Sequence, residues 1–310
     1  MSLAVQSPPA SFSPSKSQLD VAYSVCRGIT RSAAKNFYYA FLVLPEAKRA
    51  ALCAVYAFMR KCDDISDDTS LPIEQRRQKL DAWLDAAHRA QAGLPTDEPV
   101  LLALTDTQQR FGIASTLLDQ LAEGTAMDLP SVAMGSTPSA PIEYRTFEDL
   151  YQYCYRVASV VGLVCIRVFG YRDLQAELYA EKLGIAFQLT NIIRDVKEDA
   201  ANSRVYLPEE DLARYGLTSA VILDSPDPAR LRDLLAMEAD RARDYYRAGD
   251  QLLPLIDEDS RPALWVLTTI YRTLLERIAA QRFEVYRTRV SLSTWEKLTI
   301  LGKGFLRRFS

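Results

Sequence analysis

Histidine is almost missing from this chain of 310 residues: His88 is the sole copy, set in the polar helix end "LDAAHRAQAG". One imidazole excludes Ser-His-Asp triads, zinc sites of the HExxH kind and di-iron bundles that take a Glu-x-x-His from each of two helices. The five cysteines, Cys26, Cys53, Cys62, Cys154 and Cys165, form no CxxC pair and lie in apolar, helix-like runs. They read as small buried hydrophobes in a reducing, cytoplasmic compartment. No window reaches about 18 uninterrupted apolar residues, the length a membrane span requires, and no glycine-rich dinucleotide fingerprint is visible. The opening "MSLAVQSPPASFSPSKSQ" lacks the basic start and apolar core of a secretory signal, and its Ser and Pro content marks residues 1–16 as a mobile tail. A net charge of −3 provides no field to draw the chain onto nucleic acid.

What the chain does have is helical periodicity. Apolar residues are 48% and charged residues 25% of the total, a globular balance, and apolar spacings of three and four recur from about residue 17 onward while strand-like alternation is nearly absent. The pattern predicts an all-α fold with helices over 17–33, 46–67, 73–91, 97–122, 147–169, 172–198, 228–252, 260–282 and 293–307. "GLPTDEP", "LPSVAMGSTPSAPIEY" and "LDSPDPAR" punctuate them. Helices on both sides of each break carry apolar faces that need partners, so residues 17–310 read as one domain.

Two of these helices carry acids where a buried helix should show hydrocarbon. In "AVYAFMRKCDDISDD", residues 54–68, Asp63 and Asp67 share one face, Arg60 stands three residues before Asp63, and Tyr56 and Met59 extend the stripe. In "QLTNIIRDVKED", residues 188–199, Asn191, Asp195 and Asp199 repeat the spacing of four, with Gln188 and Glu198 on the same side. Like charges four apart destabilise a helix by roughly 0.2–0.5 kcal/mol per pair, so a cation between the two faces would relieve both. Magnesium suits the task, because it prefers oxygen ligands and is commonly held by a few carboxylates together with substrate phosphates. Arg60, Arg194, Lys197 and Arg204 lie among the acids, as a diphosphate ester would require. Taken alone, the two faces leave open a different class, a non-catalytic helical protein that binds a metal or a partner.

The sequence also resembles the squalene and phytoene synthase family, in residues 35–67, "KNFYYAFLVLPEAKRAALCAVYAFMRKCDDISD", and 153–208, containing "YCYRVASVVG" and "GIAFQLTNIIRDVKEDAANSRVYLP", and in "TIYRTLLERIAAQRFEVYRTRVSLSTWEKL". The resemblance covers most of the chain. It implies an isoprenoid (terpenoid) synthase helical bundle with a central cavity, and a Mg²⁺-dependent prenyltransferase that condenses two prenyl diphosphates head to head through a cyclopropylcarbinyl diphosphate. It also implies metal ligation by Asp63, Asp67, Asn191, Asp195 and Asp199. Lys35, Arg60, Arg194, Arg204, Tyr271 and Arg289 fall where the family contacts diphosphate, Gln188 and Tyr39 join the substrate set, and Tyr153 matches a tyrosine proposed to move a proton or stabilise a cation. Where many members read Val-Ala-Gly, this chain reads Val157-Ala158-Ser159, which is closer to the bacterial presqualene diphosphate synthases of hopanoid biosynthesis. That likeness implies farnesyl diphosphate as substrate, presqualene diphosphate as product and downstream squalene-pathway enzymes as partners. Squalene, dehydrosqualene and phytoene synthesis are the alternatives, with NADPH needed only if the reaction runs on to squalene.

The loop "ANSRVYLP" is placed to fold over bound diphosphate or to serve as a plain connector. The C-terminal "WEKLTILGKGFLRRFS" is basic and amphipathic, which suits a terminal helix docked on the bundle or peripheral contact with the inner membrane surface.

Overall fold

Proline, glycine and capping residues cut the chain into helices close to where the periodicity predicts them. The computed structural model describes residues 13–33, 37–127 and 144–307. The helices are α1 (Lys16–Ala33), α2 (Phe37–Phe41), α3 (Glu46–Ser66), α4 (Ile73–Gln91), α5 (Pro99–Phe111), α6 (Ser115–Met127), α7 (Phe147–Cys154), α8 (Val160–Phe169), α9 (Gln175–Ala201), α10 (Glu209–Arg214), α11 (Ser219–Asp224), α12 (Pro228–Gly249), α13 (Arg261–Ala280) and α14 (Thr294–Leu306). A π turn (Tyr155–Ser159) joins α7 to α8, and a 3₁₀ turn (Asp250–Leu255) follows α12. Among the described residues the only β pairing is a single bridge between Tyr171 and Ile256. Lys35, the first twelve residues of the expected tail and most of the loop at 129–144 lie outside the described residues.

The predicted helix over 97–122 is two. Gly112 adopts a left-handed φ of 63°, which ends α5 and returns its N–H to the Gln108 carbonyl, a backbone state that glycine reaches without steric cost. The three short helices α2, α10 and α11 escape the periodicity because five or six residues complete too few turns to show a face.

The apolar faces meet in one continuous core that runs from Ala22 to Leu301. The longest helix, α9, lies at its centre, packed by α12, α8 and the π turn, α13 and α7, while α1, α3 and α5 form a second layer. The run Phe147–Phe169 is long and apolar enough to cross a membrane by length and composition. In the fold α6 and α9 pack against it, and 44% of that apolar window is buried.

The π turn has a clear local cause and consequence. A Cβ on Gly184 would stand 2.5 Å from the Ser159 Cα, so glycine is what lets α9 approach the widened turn. Ser159, fully buried, donates its hydroxyl to the Glu181 carbonyl at 2.7 Å. The helix crossing is thereby locked at the point where Val157 and Ala158 enter a cavity wall.

Candidate active site

Between α3, the α7–α8 helix, α9 and α13 lies a cavity of about 670 Å³, within the usual range for small-molecule sites. Most of its wall is hydrocarbon: Phe37 and Phe41 of α2, Val55 and Met59 of α3, Val161, Cys165 and Phe169 of α8, Leu183 and Phe187 of α9, and Leu264, Leu267 and Ile270 of α13. Asp63, Gln188, Asn191, Arg194, Tyr271, Arg289 and Lys297 bring polar groups to the same cavity. Asp63 and Asn191, far apart in sequence, thus line one space.

The charged groups are held in place by neighbours. Arg194 donates through Nε to the Asp195 carboxylate at 2.7 Å and makes a second, very short ion pair with it. Arg289 reaches the same carboxylate at 3.0 Å and Glu198 at 2.8 Å. Burial pushes the Asp195 carboxyl up, but the hydrogen bonds and charge of Arg194 and Arg289 outweigh it and hold the group below the ordinary range. Glu198 moves the other way, raised by desolvation and by its contact with Asp195. Lys197 donates to the Tyr286 carbonyl at 2.9 Å, tying α9 to the segment that carries Arg289. Tyr271 stacks on Phe187 with ring centroids 4.5 Å apart, and Phe37 closes on its edge at 6.3 Å.

Other expected site residues stand outside the cavity lining. Arg60 is exposed and pairs with Asp64 at 2.6 Å, one turn along α3. Asp67 is the exposed C-cap of α3, its N–H returned to the Asp63 carbonyl. Asp199 lies at the end of α9, where its carbonyl accepts from the Arg204 N–H at 2.9 Å. Tyr39 lies 5.8 Å from the Lys297 ammonium. Tyr153 is buried in a cluster of three rings with Tyr144 and Tyr206, at 5.4 and 5.0 Å, one helical turn before the cavity-lining Val157. Of the two roles open to the loop at 201–208, the connector suits its packing: Ser203 turns the chain with a left-handed φ of 58°, and Val205, Tyr206, Leu207 and Pro208 are buried in the body of the protein.

Sequence reasoning missed Lys297 as a site residue. It sits on the terminal helix, which reads as a surface element, and only the packing of α14 against α13 and α2 turns it toward the cavity. Cys165 lines the cavity as a thiol pushed up to about 12 by burial, so it acts there as a small hydrophobe.

Among the described residues, no group of three or more His, Cys, Asp or Glu side chains converges tightly enough to hold a metal alone. The donors present are the oxygens of Asp63 and Asn191 on the cavity, with Asp67, Asp195 and Asp199 further along the same helices. Such a sparse, all-oxygen set fits Mg²⁺, which keeps several waters and takes further ligands from a substrate phosphate.

Residues 30–296 match the model of the squalene/phytoene synthase family. The chain belongs to that family. Its enzymes are prenyltransferases of isoprenoid biosynthesis. The chain is 38% identical over 287 residues to a phytoene synthase of Mycobacterium tuberculosis, an alignment that covers 91% of this chain and 90% of the relative. It is 36% identical over 311 residues to the 15-cis-phytoene synthase of Synechococcus elongatus, covering 96% and 97%. A solved dehydrosqualene synthase superposes with a TM-score of 0.81 at 29% identity, covering 93% of this chain and 96% of that one. The all-α fold with a central cavity is accordingly the squalene-synthase type of terpenoid synthase bundle.

Proposed function

We propose that this protein is a phytoene synthase, joining two molecules of geranylgeranyl diphosphate head to head with release of diphosphate. The observation that carries the reading is the cavity itself, a long apolar wall with Asp63, Asn191, Arg194 and Arg289 on its lining. The names of the relatives supply the choice of product within the family.

Each part of the wall has a task in that reaction. Arg194, Arg289 and Lys297 bind and orient the diphosphates, and their fixed positive charge favours departure of the leaving group with its electron pair. A divalent metal held by Asp63 and Asn191, with Asp67, Asp195 and Asp199 beside them, would add Lewis-acid stabilisation of that leaving group. The allylic cation left behind needs a dry, electron-rich enclosure. Phe37, Phe41 and Phe169 exclude water, and the stacked Phe187 and Tyr271 present ring faces to positive charge.

The presqualene reading rests on the run "SVVGLVCIRVFGY", and first on Ser159 in place of glycine. Its hydroxyl is spent on the Glu181 carbonyl and its backbone on the Gly184 crossing, so helix packing accounts for it without reference to product. Incubating the purified protein with Mg²⁺ and geranylgeranyl or farnesyl diphosphate, then identifying the extracted lipid, separates the readings. Phytoene from geranylgeranyl diphosphate is expected. A cyclopropyl diphosphate or squalene formed from farnesyl diphosphate, with geranylgeranyl diphosphate inert, would overturn the choice of substrate.

A further inference from the structure

The end of the cavity away from the acids is closed by a polar knot that the proposed reaction does not use. Lys48, in the first turn of α3, donates its ammonium to the Phe169 carbonyl at 2.7 Å, to the Asp259 carboxylate at 2.6 Å and to the Ser260 hydroxyl at 3.0 Å. An ammonium has three N–H donors, and these three partners match them. The Lys48 side chain is only 16% exposed and Ser260 is fully buried. Phe169 is the last residue of α8, and a helix C-terminus, with its unpaired carbonyls, favours a cation. Asp257 lies 3.7 Å from the same ammonium and donates its N–H to the Gly170 carbonyl at 2.9 Å.

One cation thus ties the start of α3, the end of α8 and the N-cap of α13. Each tie sits beside a lining side chain. Leu52 stands four residues after Lys48, Leu264 four after Ser260, and Phe169 lines the cavity itself. Leu52 precedes Asp63 by eleven residues of α3, a rise of about 16 Å. A prenyl chain whose diphosphate is held at Asp63 and Asn191 therefore runs toward Phe169.

We propose that Lys48 is a positioning residue for chain-length selection: by pinning the Phe169 backbone it fixes the depth of the cavity, and with it the longest prenyl tail that is condensed. A packed interior resists displacement, so a pinned wall rejects a homologue that a loosened one admits. Without the ammonium, the Phe169 carbonyl and the Asp259 carboxylate lose their shared partner and the end of α8 is free to shift. Selection among tails rests on the proposed condensation of prenyl diphosphates, whereas the knot does not.

The test is steady-state kinetics with geranylgeranyl diphosphate and its homologue one isoprene unit longer, geranylfarnesyl diphosphate. The readout is the ratio of kcat/KM for the longer substrate to that for the shorter. Lys48→Met should raise this ratio at least about tenfold, the least that a hydrophobic wall discriminates per added methylene. Ser260→Ala, which removes one arm and keeps the cation, should raise it by a smaller factor and decides the matter if Lys48→Met does not fold. Phe169→Leu should raise the ratio with the knot intact, and adding Lys48→Met to it should change the ratio little further, because both act on one wall. Lower thermal stability with both kcat/KM values falling in proportion would overturn the proposal, since the knot would then be structural alone. If the wild type condenses farnesyl and leaves geranylgeranyl diphosphate untouched, the substrate named above is wrong and the ratio is read between those two. A ratio raised by Lys48→Met then still supports the proposal, and an unchanged one still overturns it.

Discussion

Arg289 bridges Asp195 at 3.0 Å and Glu198 at 2.8 Å, binding the segment after α13 to the acidic face of α9 across 94 residues of chain. Two roles are combined in that guanidinium. It neutralises acids that would otherwise repel one another, and it lies on the cavity lining where diphosphate is expected. Arg289→Ala should lower kcat/KM by about a hundredfold to a thousandfold, the usual cost of one transition-state donor. Lysine should restore little of it, because the planar guanidinium whose Nε meets both carboxylates is replaced by a point charge on a flexible stem. Stability should change by no more than about 1 kcal/mol, since the arginine is half exposed. Steady-state kinetics and a thermal melt on the same preparations check both statements.

The crossing of α9 over the π turn is a packing requirement. Gly184→Ala places a methyl carbon 2.5 Å from the Ser159 Cα and should destabilise the protein by about 1–3 kcal/mol, the range for overpacking. Ser159→Ala removes one buried hydrogen bond and should cost about 1 kcal/mol while leaving the identity of the product unchanged. Urea melts of both variants, with product analysis of the second, provide the check.

A buried ionic cluster distant in sequence from the acidic motifs sets a pH dependence. Arg241 donates to Asp211 at 2.8 Å and to Glu238 at 2.8 Å, and both carboxylates are almost fully buried. Desolvation pushes the Glu238 carboxyl up to about 7, against the pull of Arg241. A carboxyl raised above its ordinary value of 4.5 contributes stability that is complete below that value and is lost as pH rises through about 7. Glu238→Gln should therefore flatten the decline of the unfolding midpoint between pH 4.5 and 7, and the variant should gain on the wild type above pH 7. Thermal melts across that range would contradict this if the two curves stayed parallel.

Much of this site was legible in the sequence, for a physical reason. Asp63, Asn191, Arg194 and Gln188 are polar residues inside apolar helical runs, and a helix that spends buried positions on such groups advertises a cavity. Residues whose role depends on distant packing were not legible. Lys297 faces the cavity only because Gly304 lets α14 settle on α13. Ser159 looked like a marker of product because its hydrogen bond to a carbonyl on another helix leaves no local trace. The break at Gly112 merged into one predicted helix because apolar spacing continues through it, although the backbone there is left-handed.

The central claim is that α3 and α9 act on one diphosphate from two sides of a single cavity. A double-mutant cycle with Asp63→Asn and Asn191→Ala tests it most directly, read as kcat/KM with geranylgeranyl diphosphate and Mg²⁺ at constant helicity. Residues that act as a unit give non-additive losses. The account predicts that each single variant loses at least about a hundredfold and that the double variant loses little more than the worse single. Losses that multiply independently, or near-normal turnover in either single variant, would contradict it.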